Sequence, residues 1–250
     1  MSLDAIQQKK QVIESRSRIR EFIFGIQDGL ISTVGLLAGI QGATENNVVV
    51  IITGLTAMFS GAISMAAGSY LSSKAQKEIF DKEIVEAEKL AEREPYMVAE
   101  GLLKALGEEG LSKEQSYSMV KVLIQQRNVF LRTFQEKVFG LGSAEINRPL
   151  QAALIMGLSF IVGAIVPILP YTALTGVTAL YLSTLLGGLT LFGVGAFKGA
   201  LAGQSLVLSG FKFFLIAVSA AILGYALGLI VQYFFPGVVI AGSNATPLLA

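Results

Sequence analysis

The sequence predicts an all-α, polytopic membrane protein with five transmembrane helices and a helical insertion between the second and third. Hydrophobic residues make up 53% of the chain and charged residues only 15%, whereas soluble domains contain about 25% charged residues. The apolar residues also occur in long runs, which the amphipathic helices of soluble proteins do not contain. Five runs are present, and each exceeds the roughly 20 residues that cross a bilayer.

The predicted spans follow these runs in order. They are residues 22–42, 48–71, 150–171, 173–197 and 213–235, and only the first contains a charged side chain, Asp28. The expected domains are a basic, amphipathic N-terminal segment (1–21), spans one and two (22–73), the insertion (74–148), spans three to five (149–236) and a C-terminal tail (237–250).

The basic residues predict the orientation in the membrane. All 19 Lys and Arg residues lie before the first span, within the insertion, or between spans four and five. Because cytoplasmic loops hold the excess of Lys and Arg, we expect the N-terminus and the insertion to be cytoplasmic. The C-terminal tail is then expected outside.

The insertion is charged, with 13 acidic and 12 basic residues. We predict three helices in it: one over 74–94 that Pro95 ends, a second over about 96–106, and a third from the capping residue Ser112 to about Phe139. Helical spacing predicts its buried side chains. They are Leu102, Leu103, Leu106, Met119, Val122, Leu123, Phe130, Phe134 and Val138.

Asp28 is the main functional candidate within the spans. An ionisable group inside a membrane costs about 2.5–3.5 kcal/mol on insertion scales, so it is usually retained for an ion or proton path. The alternative is a structural carboxylate that reaches cytoplasmic water, because six residues of helix span only about 9 Å.

Met65 lies in a stretch of small residues in span two, where another helix or a solute can approach the backbone closely. A thioether is a soft ligand for a late transition metal. The alternative is side-chain packing, which is the commoner role of Met in a membrane helix.

Glu83, Glu86 and Glu94 occupy neighbouring parts of one predicted helix surface, at spacings of three and eleven residues. Clustered carboxylates suit hard or borderline divalent cations. The alternative is a solvated helix face whose charge is balanced by nearby Lys and Arg.

The composition argues against an enzyme. The chain contains no His and no Cys, and no nucleophile with an accompanying base can be recognised. We therefore expect no catalytic residues, no permanently bound cofactor and no nucleic-acid partner. Any cation chemistry must use oxygen and thioether ligands.

Several motifs, in the same order along the chain, resemble the vacuolar iron transporter family. They are GIQDGLISTVGLLAGIQG at 25–42, GAISMAAGSYLS at 61–72, PLQAALIMGLSFIVGAIVPILPY at 149–171, and the segment 191–225. The resemblance implies a homodimer with an ion pathway at the subunit interface, lined by the first spans. It also implies that Fe²⁺ or Mn²⁺ moves out of the cytosol in exchange for protons.

The resemblance also assigns residues. Asp28 and Met65 match the family's pore Asp and Met, and Ser69 stands on the same pathway where relatives usually have Glu. Glu86 and Glu100 are the closest matches to the metal-capturing residues of the insertion. The neighbouring candidates are Glu83, Glu94, Met97 and Glu136.

The resulting hypothesis is that Asp28 binds either a divalent metal or a proton, and that this competition couples their opposite movements. The alternative is a non-transporting membrane protein whose insertion binds metal or a partner. With no organelle address visible in the sequence, we expect a prokaryotic plasma membrane.

Overall fold

The computed structural model describes residues 3–44, 46–138 and 148–235, and side chains from residue 18 onward. Every regular element in these residues is an α-helix. In order they are α1 (Leu3–Ala43), α2 (Asn47–Arg93), α3 (Pro95–Glu108), α4 (Lys113–Ile124), α5 (Arg127–Val138), α6 (Pro149–Ala173), α7 (Gly176–Leu201) and α8 (Leu206–Phe234). The predicted tail 237–250 and Phe139 lie outside the described residues.

Five of these helices are long and apolar enough to cross a membrane, which confirms the predicted number of spans. They are α1 from Arg18 onward, α2, α6, α7 and α8. The fourth span begins at Gly176, later than predicted, because α6 continues through Pro167 and Pro170 to Ala173. Gly176 has a φ of 63°, which glycine adopts without steric cost, and the chain turns there.

The chain divides into two compact units, and α2 contributes to both. Among the described residues, the insertion unit comprises 3–15, 71–138 and 148–149, and the span unit comprises 16–44, 46–70 and 150–235. Each unit is described separately below.

α1 contacts the other four spans of the span unit. Glycines bring two of these neighbours close: a Cβ added to Gly29 would overlap the Phe160 carbonyl oxygen of α6, and one added to Gly228 of α8 would overlap the Gly39 carbonyl oxygen. The remaining two contacts use larger side chains. They are Leu37 against Gly54 of α2 and Val34 against Gly187 of α7.

The insertion unit differs from the prediction in its last helix. One helix was expected from Ser112 to Phe139, but α4 ends at Ile124 and α5 begins at Arg127. The predicted capping box is confirmed, since Ser112 and Gln115 exchange both hydrogen bonds. At the break, the amides of Gln125 and Gln126 donate to carbonyls three residues earlier, which ends the α-helical ladder.

The break changes which side chains form the core of the insertion unit. Met119, Val122 and Val138 are exposed, contrary to the prediction, and Val98 and Val120 are buried instead. The predicted core positions Leu102, Leu106, Phe130 and Phe134 are buried, and Leu103 and Leu123 pack against them. With the break, Val120 of α4 and Phe130 of α5 belong to one buried cluster with Val98 and Leu102 of α3.

Candidate functional site

The Asp28 side chain is partly buried in α1, within the first membrane-spanning segment. Its backbone carbonyl, not its carboxylate, accepts a hydrogen bond from the Ser32 hydroxyl at 2.6 Å. Within the described part of the chain, no group donates a hydrogen bond to this carboxylate or forms an ion pair with it. A carboxylate in a span is costly when unpaired, so this position favours a cation or a proton.

Glu21 is a second carboxylate on the same side of α1, and it is not among the site residues that the sequence predicts. A spacing of seven residues brings Glu21 and Asp28 to nearly the same angle on a helix. Glu21 is only 5% exposed. One of its carboxylate oxygens lies 3.1 Å from an Arg20 nitrogen, and the other accepts a hydrogen bond from the Ser69 hydroxyl at 3.4 Å.

Glu21 was overlooked because it lies immediately before the first apolar run, next to basic residues. A hydropathy criterion starts the first span at residue 22 and therefore assigns Glu21 to solvent. The signal that could have found it is its spacing from Asp28, two helical turns along one face.

Three contacts define the register between α1 and α2. They are the Glu21–Ser69 hydrogen bond, the packing of Phe160 against both Gly29 and Gly61, and the packing of Leu37 against Gly54. In this antiparallel register, Met65 lies between the level of Ser69 and the level of Asp28. At 1.5 Å per residue, Met65 and Asp28 are separated by about 5 Å along the helix axis, and Glu21 and Asp28 by about 10 Å.

Met65 is partly buried and packs against the buried cluster that contains Met58, Ala62 and Phe160. No hydrogen bond joins Met65 to Asp28 among the described residues. The structure therefore brings Ser69 together with Glu21 and places Met65 at an intermediate level. The roles of Asp28, Met65 and Ser69 in transport stay predictions.

The predicted ligands of the insertion lie on three helices. They are Glu83 and Glu86 on α2, Glu94 at the N-cap of α3, Met97 and Glu100 on α3, and Glu136 on α5. Across residues 3–44, 46–138 and 148–235, no group of three or more His, Cys, Asp or Glu side chains is placed to hold a metal ion.

Exposed ion pairs occupy some of the acidic side chains of the insertion. Lys82 lies 3.5 Å from Glu86, and Lys137 lies 2.8 Å from Glu109. The hydrogen bond to Glu109 raises the pKa of Lys137 above its ordinary value. Exposed ion pairs of this kind contribute little to the free energy of folding. Glu86 can therefore exchange its lysine partner for a metal cation at a small cost in stability.

Comparison with known proteins identifies the family. A family model described as the VIT family matches residues 19–229. The chain is 26% identical over 216 residues to vacuolar iron transporter 1 of Arabidopsis thaliana, covering 86% of each protein. It is 28% identical over 215 residues to vacuolar iron transporter 2 of Oryza sativa subsp. japonica, covering 86% of this chain and 87% of the relative.

A relative from an organism that is not a plant matches to a similar extent. The vacuolar iron transporter of Plasmodium falciparum is 27% identical over 230 residues, which cover 87% of this chain and 83% of that protein. The family-model match, at residues 19–229, extends from the first membrane helix through the insertion into the last membrane helix. This multi-pass membrane protein therefore belongs to the VIT family.

Proposed function

We propose that this protein moves a divalent transition metal, Fe²⁺ and/or Mn²⁺, out of the cytosol in exchange for protons. The observation that carries the proposal is the Asp28 carboxylate, which is partly buried in a membrane span and has no partner within the described residues. Relatives named vacuolar iron transporters support iron as a substrate. The metal is cargo, and we expect no resident cofactor.

The ligand types along α1 and α2 support a transition metal over Mg²⁺ or Ca²⁺. An ion that follows these helices meets the carboxylate of Glu21 with the Ser69 hydroxyl, then the Met65 thioether, then the carboxylate of Asp28. Carboxylates attract any divalent cation, whereas a thioether favours softer transition metals. Met65 is thus proposed to select transition metals over Mg²⁺ and Ca²⁺, and the carboxylates are proposed to supply the negative charge that attracts the ion.

Exchange with protons follows from competition at Asp28. The carboxylate binds a metal ion only when it is deprotonated, so a bound proton and a bound metal exclude each other. If Asp28 is exposed alternately to each side of the membrane, metal leaves on one side and a proton returns on the other. The two fluxes are then coupled through a single group.

The insertion is proposed to capture metal at the cytoplasmic mouth. Glu83, Glu86, Glu94 and Glu100 add negative charge there, with Met97 and Glu136 as further ligands. A second copy of the chain is proposed to supply part of the ligand set. This agrees with the homodimer that we propose for the whole protein.

The proposed orientation places the N-terminus in the cytoplasm and the C-terminus outside, because every basic residue then lies on the cytoplasmic side. The plasma membrane of a prokaryote stays a prediction from the sequence. The relatives reported above are eukaryotic proteins, and they do not support that location.

Replacing Asp28 with Asn tests the proposal directly. The substitution keeps the size of the side chain and removes the charge, so metal uptake into proteoliposomes and the accompanying pH change should both fall to background. Ser32→Ala is the matched control, since it removes only the hydroxyl that donates to the Asp28 carbonyl. Its flux should stay within about twofold of the unsubstituted protein.

Undiminished flux in Asp28→Asn, with the protein correctly folded, contradicts the assignment of Asp28. Loss of metal flux with a proton leak retained contradicts competition at a single carboxylate. The preferred metal is identified by comparing the fluxes of Fe²⁺, Mn²⁺, Co²⁺ and Zn²⁺ across the same pH step.

The second candidate function is metal or partner binding by the insertion without transport. Exposed apolar side chains on the insertion favour it, including Tyr96 at 90% and Val122 at 66% exposure. Metal binding by the full-length protein that is unaffected by Asp28→Asn, together with no flux for any metal, selects this candidate.

A further inference from the structure

Two lysines without an acidic partner lie near the short turn that joins α7 to α8. They are Lys198 of α7 and Lys212 of α8, and both side chains are exposed. Within the described part of the chain, neither forms an ion pair. No Asp or Glu occurs from residue 149 onward, so the last three spans contain no carboxylate that could balance these two positive charges.

The two lysines lie on the same face of the α7–α8 pair, which we name the lysine face. Gly199 of α7 packs against α8, and Phe213 of α8 packs against α7. Each lysine directly precedes one of these contact residues, so it is rotated by about 100° from the contact. Because the two right-handed helices run antiparallel, the same step along each chain turns toward the same side of the pair.

The Lys198 side chain also reaches across to α8. Its Nζ lies 5.2 Å from the centroid of the Phe213 ring, which attracts a cation, and Phe213 directly follows Lys212. Gly199 packs against residues 205–209 of α8, so the two lysines differ in level by about four residues, or about 6 Å along the helix axis. Two flexible lysine side chains can bring their ammonium groups to one anion over this separation.

The helix ends account for the position of one lysine only. Lys198 lies in the last turn of α7, where the helix dipole favours a cation. Lys212 lies near the N-terminal end of α8, where the dipole offers a cation no stabilisation. The preference for Lys on one side of a membrane determines the end of a span and not a common face. A shared anionic ligand accounts for both positions.

An exposed apolar track continues from Lys212 along the same side of α8. Ile216 and Leu223 lie four and eleven residues beyond Lys212, so they share its side of the helix. They are 43% and 66% exposed. Ser219 lies between them and donates its hydroxyl to the Leu215 carbonyl, so it presents no unsatisfied donor. The track extends about 16 Å from the lysine toward the middle of the span.

We propose that the lysine face binds one anionic phospholipid, with its phosphate between Lys198 and Lys212 and an acyl chain along Ile216 and Leu223. The inference requires only that α7 and α8 span the bilayer, and it does not depend on metal transport. The two positive charges favour an anionic headgroup, since a zwitterionic headgroup brings a cation of its own. The apolar track favours a lipid over a soluble anion.

The test measures binding of phosphatidylglycerol to the detergent-purified, full-length protein by native mass spectrometry. Replacing both Lys198 and Lys212 with Gln should lower the affinity about thirtyfold, about fivefold for each charge. Replacing both with Arg keeps the charges and should keep the binding. The matched control replaces Lys113 and Lys121 of α4 with Gln, which removes two exposed charges from the insertion unit and should leave the affinity unchanged.

Equal binding of phosphatidylglycerol and phosphatidylcholine by the unsubstituted protein overturns the inference. An equal loss in the two double Gln variants also overturns it, because net charge and not the lysine face then governs binding. Displacement of the lipid by an equal concentration of inorganic phosphate contradicts a lipid site. If the Lys198→Gln, Lys212→Gln variant becomes monomeric and keeps its lipid, the face contacts a second copy of the chain and the inference is wrong.

Discussion

At the residue scale, the two carboxylates of α1 differ in how far their oxygens are satisfied. Both Glu21 oxygens have partners, Arg20 for one and Ser69 for the other. The Asp28 carboxylate has none within the described part of the chain. A satisfied carboxylate is held in place, whereas an unsatisfied one gains the most from binding a cation. We therefore propose that Glu21 attracts the ion and that Asp28 exchanges it for a proton.

Replacing Glu21 with Gln tests this division. The amide oxygen can still accept from Ser69, but the charge that attracts a cation is lost. We expect the metal flux at low metal concentration to fall about tenfold, equivalent to about 1.4 kcal/mol, while saturating metal restores most of it. Initial rates in proteoliposomes over a range of Mn²⁺ concentrations measure both quantities.

Ser69→Ala is the control for the Glu21 substitution. It removes one long hydrogen bond of 3.4 Å and leaves the carboxylate charged, so its flux should fall less than that of Glu21→Gln. Equal losses in the two variants show that the hydrogen bond matters rather than the charge, and then Glu21 has a structural role.

At the element scale, α1 organises the span unit because its glycines permit close contact on two sides. Gly29 approaches α6, and Gly39 approaches Gly228 of α8. Helices in a membrane gain little from burying apolar surface against each other, so close backbone packing has to supply the association energy. The position of Asp28 depends on this packing, since it lies on the same helix.

Gly228→Ala should destabilise the protein through this contact. The new methyl group would overlap the Gly39 carbonyl oxygen, a backbone atom that cannot move away without shifting a helix. Overpacking of this kind costs about 1–3 kcal/mol. We expect a lower Tm for the detergent-solubilised protein. Gly193→Ala is the matched control, because nothing lies within 4 Å of its new Cβ, and it should raise Tm or leave it unchanged.

The sequence was informative wherever a single physical criterion determines the structure. Five apolar runs predicted five spans, and Pro95 correctly marked the end of α2. The break after Ile124 carries no Pro or Gly, only Gln125 and Gln126, so no local signal distinguishes it from continuous helix. It is a consequence of packing against α3, which a single sequence does not reveal.

The same limit applies to the candidate site. Asp28 stands out because a charge within an apolar run is rare. Glu21 does not, since its burial depends on the packing of α1 and α2 at the level of Ser69. The hydrogen bond from Asn47 to the Tyr171 carbonyl joins α2 and α6, which are distant in sequence, and helical periodicity alone cannot place these residues together.

At the scale of the whole molecule, α2 presents a side that no other helix covers among the described residues. Ser60, Ser64 and Gly68 are exposed along this side, at a spacing of four residues. A Cβ added to Gly68 would meet nothing within 4 Å. Small residues at this spacing allow another helix to approach closely, so we propose that α2 of a second copy packs here.

Gly68→Phe tests the proposed homodimer without disturbing the packing of one chain. The ring has open space in a single chain, so the helical content and expression should be unchanged. It would block the approach of a second α2, so we expect the protein to shift from dimer to monomer in native mass spectrometry. Metal flux should disappear with the dimer, because the proposed pathway lies at the subunit interface.

Gly193→Phe is the matched control, since it places the same ring at another exposed glycine with no neighbour within 4 Å. If both variants stay dimeric and active, α2 is not the subunit contact. If Gly68→Phe becomes monomeric and still transports metal at the full rate, the pathway lies within a single chain. Asp28 then has to act alone with Met65 and Glu21 of its own subunit. Loss of both the dimer and the flux in Gly68→Phe alone supports a pathway that two copies complete.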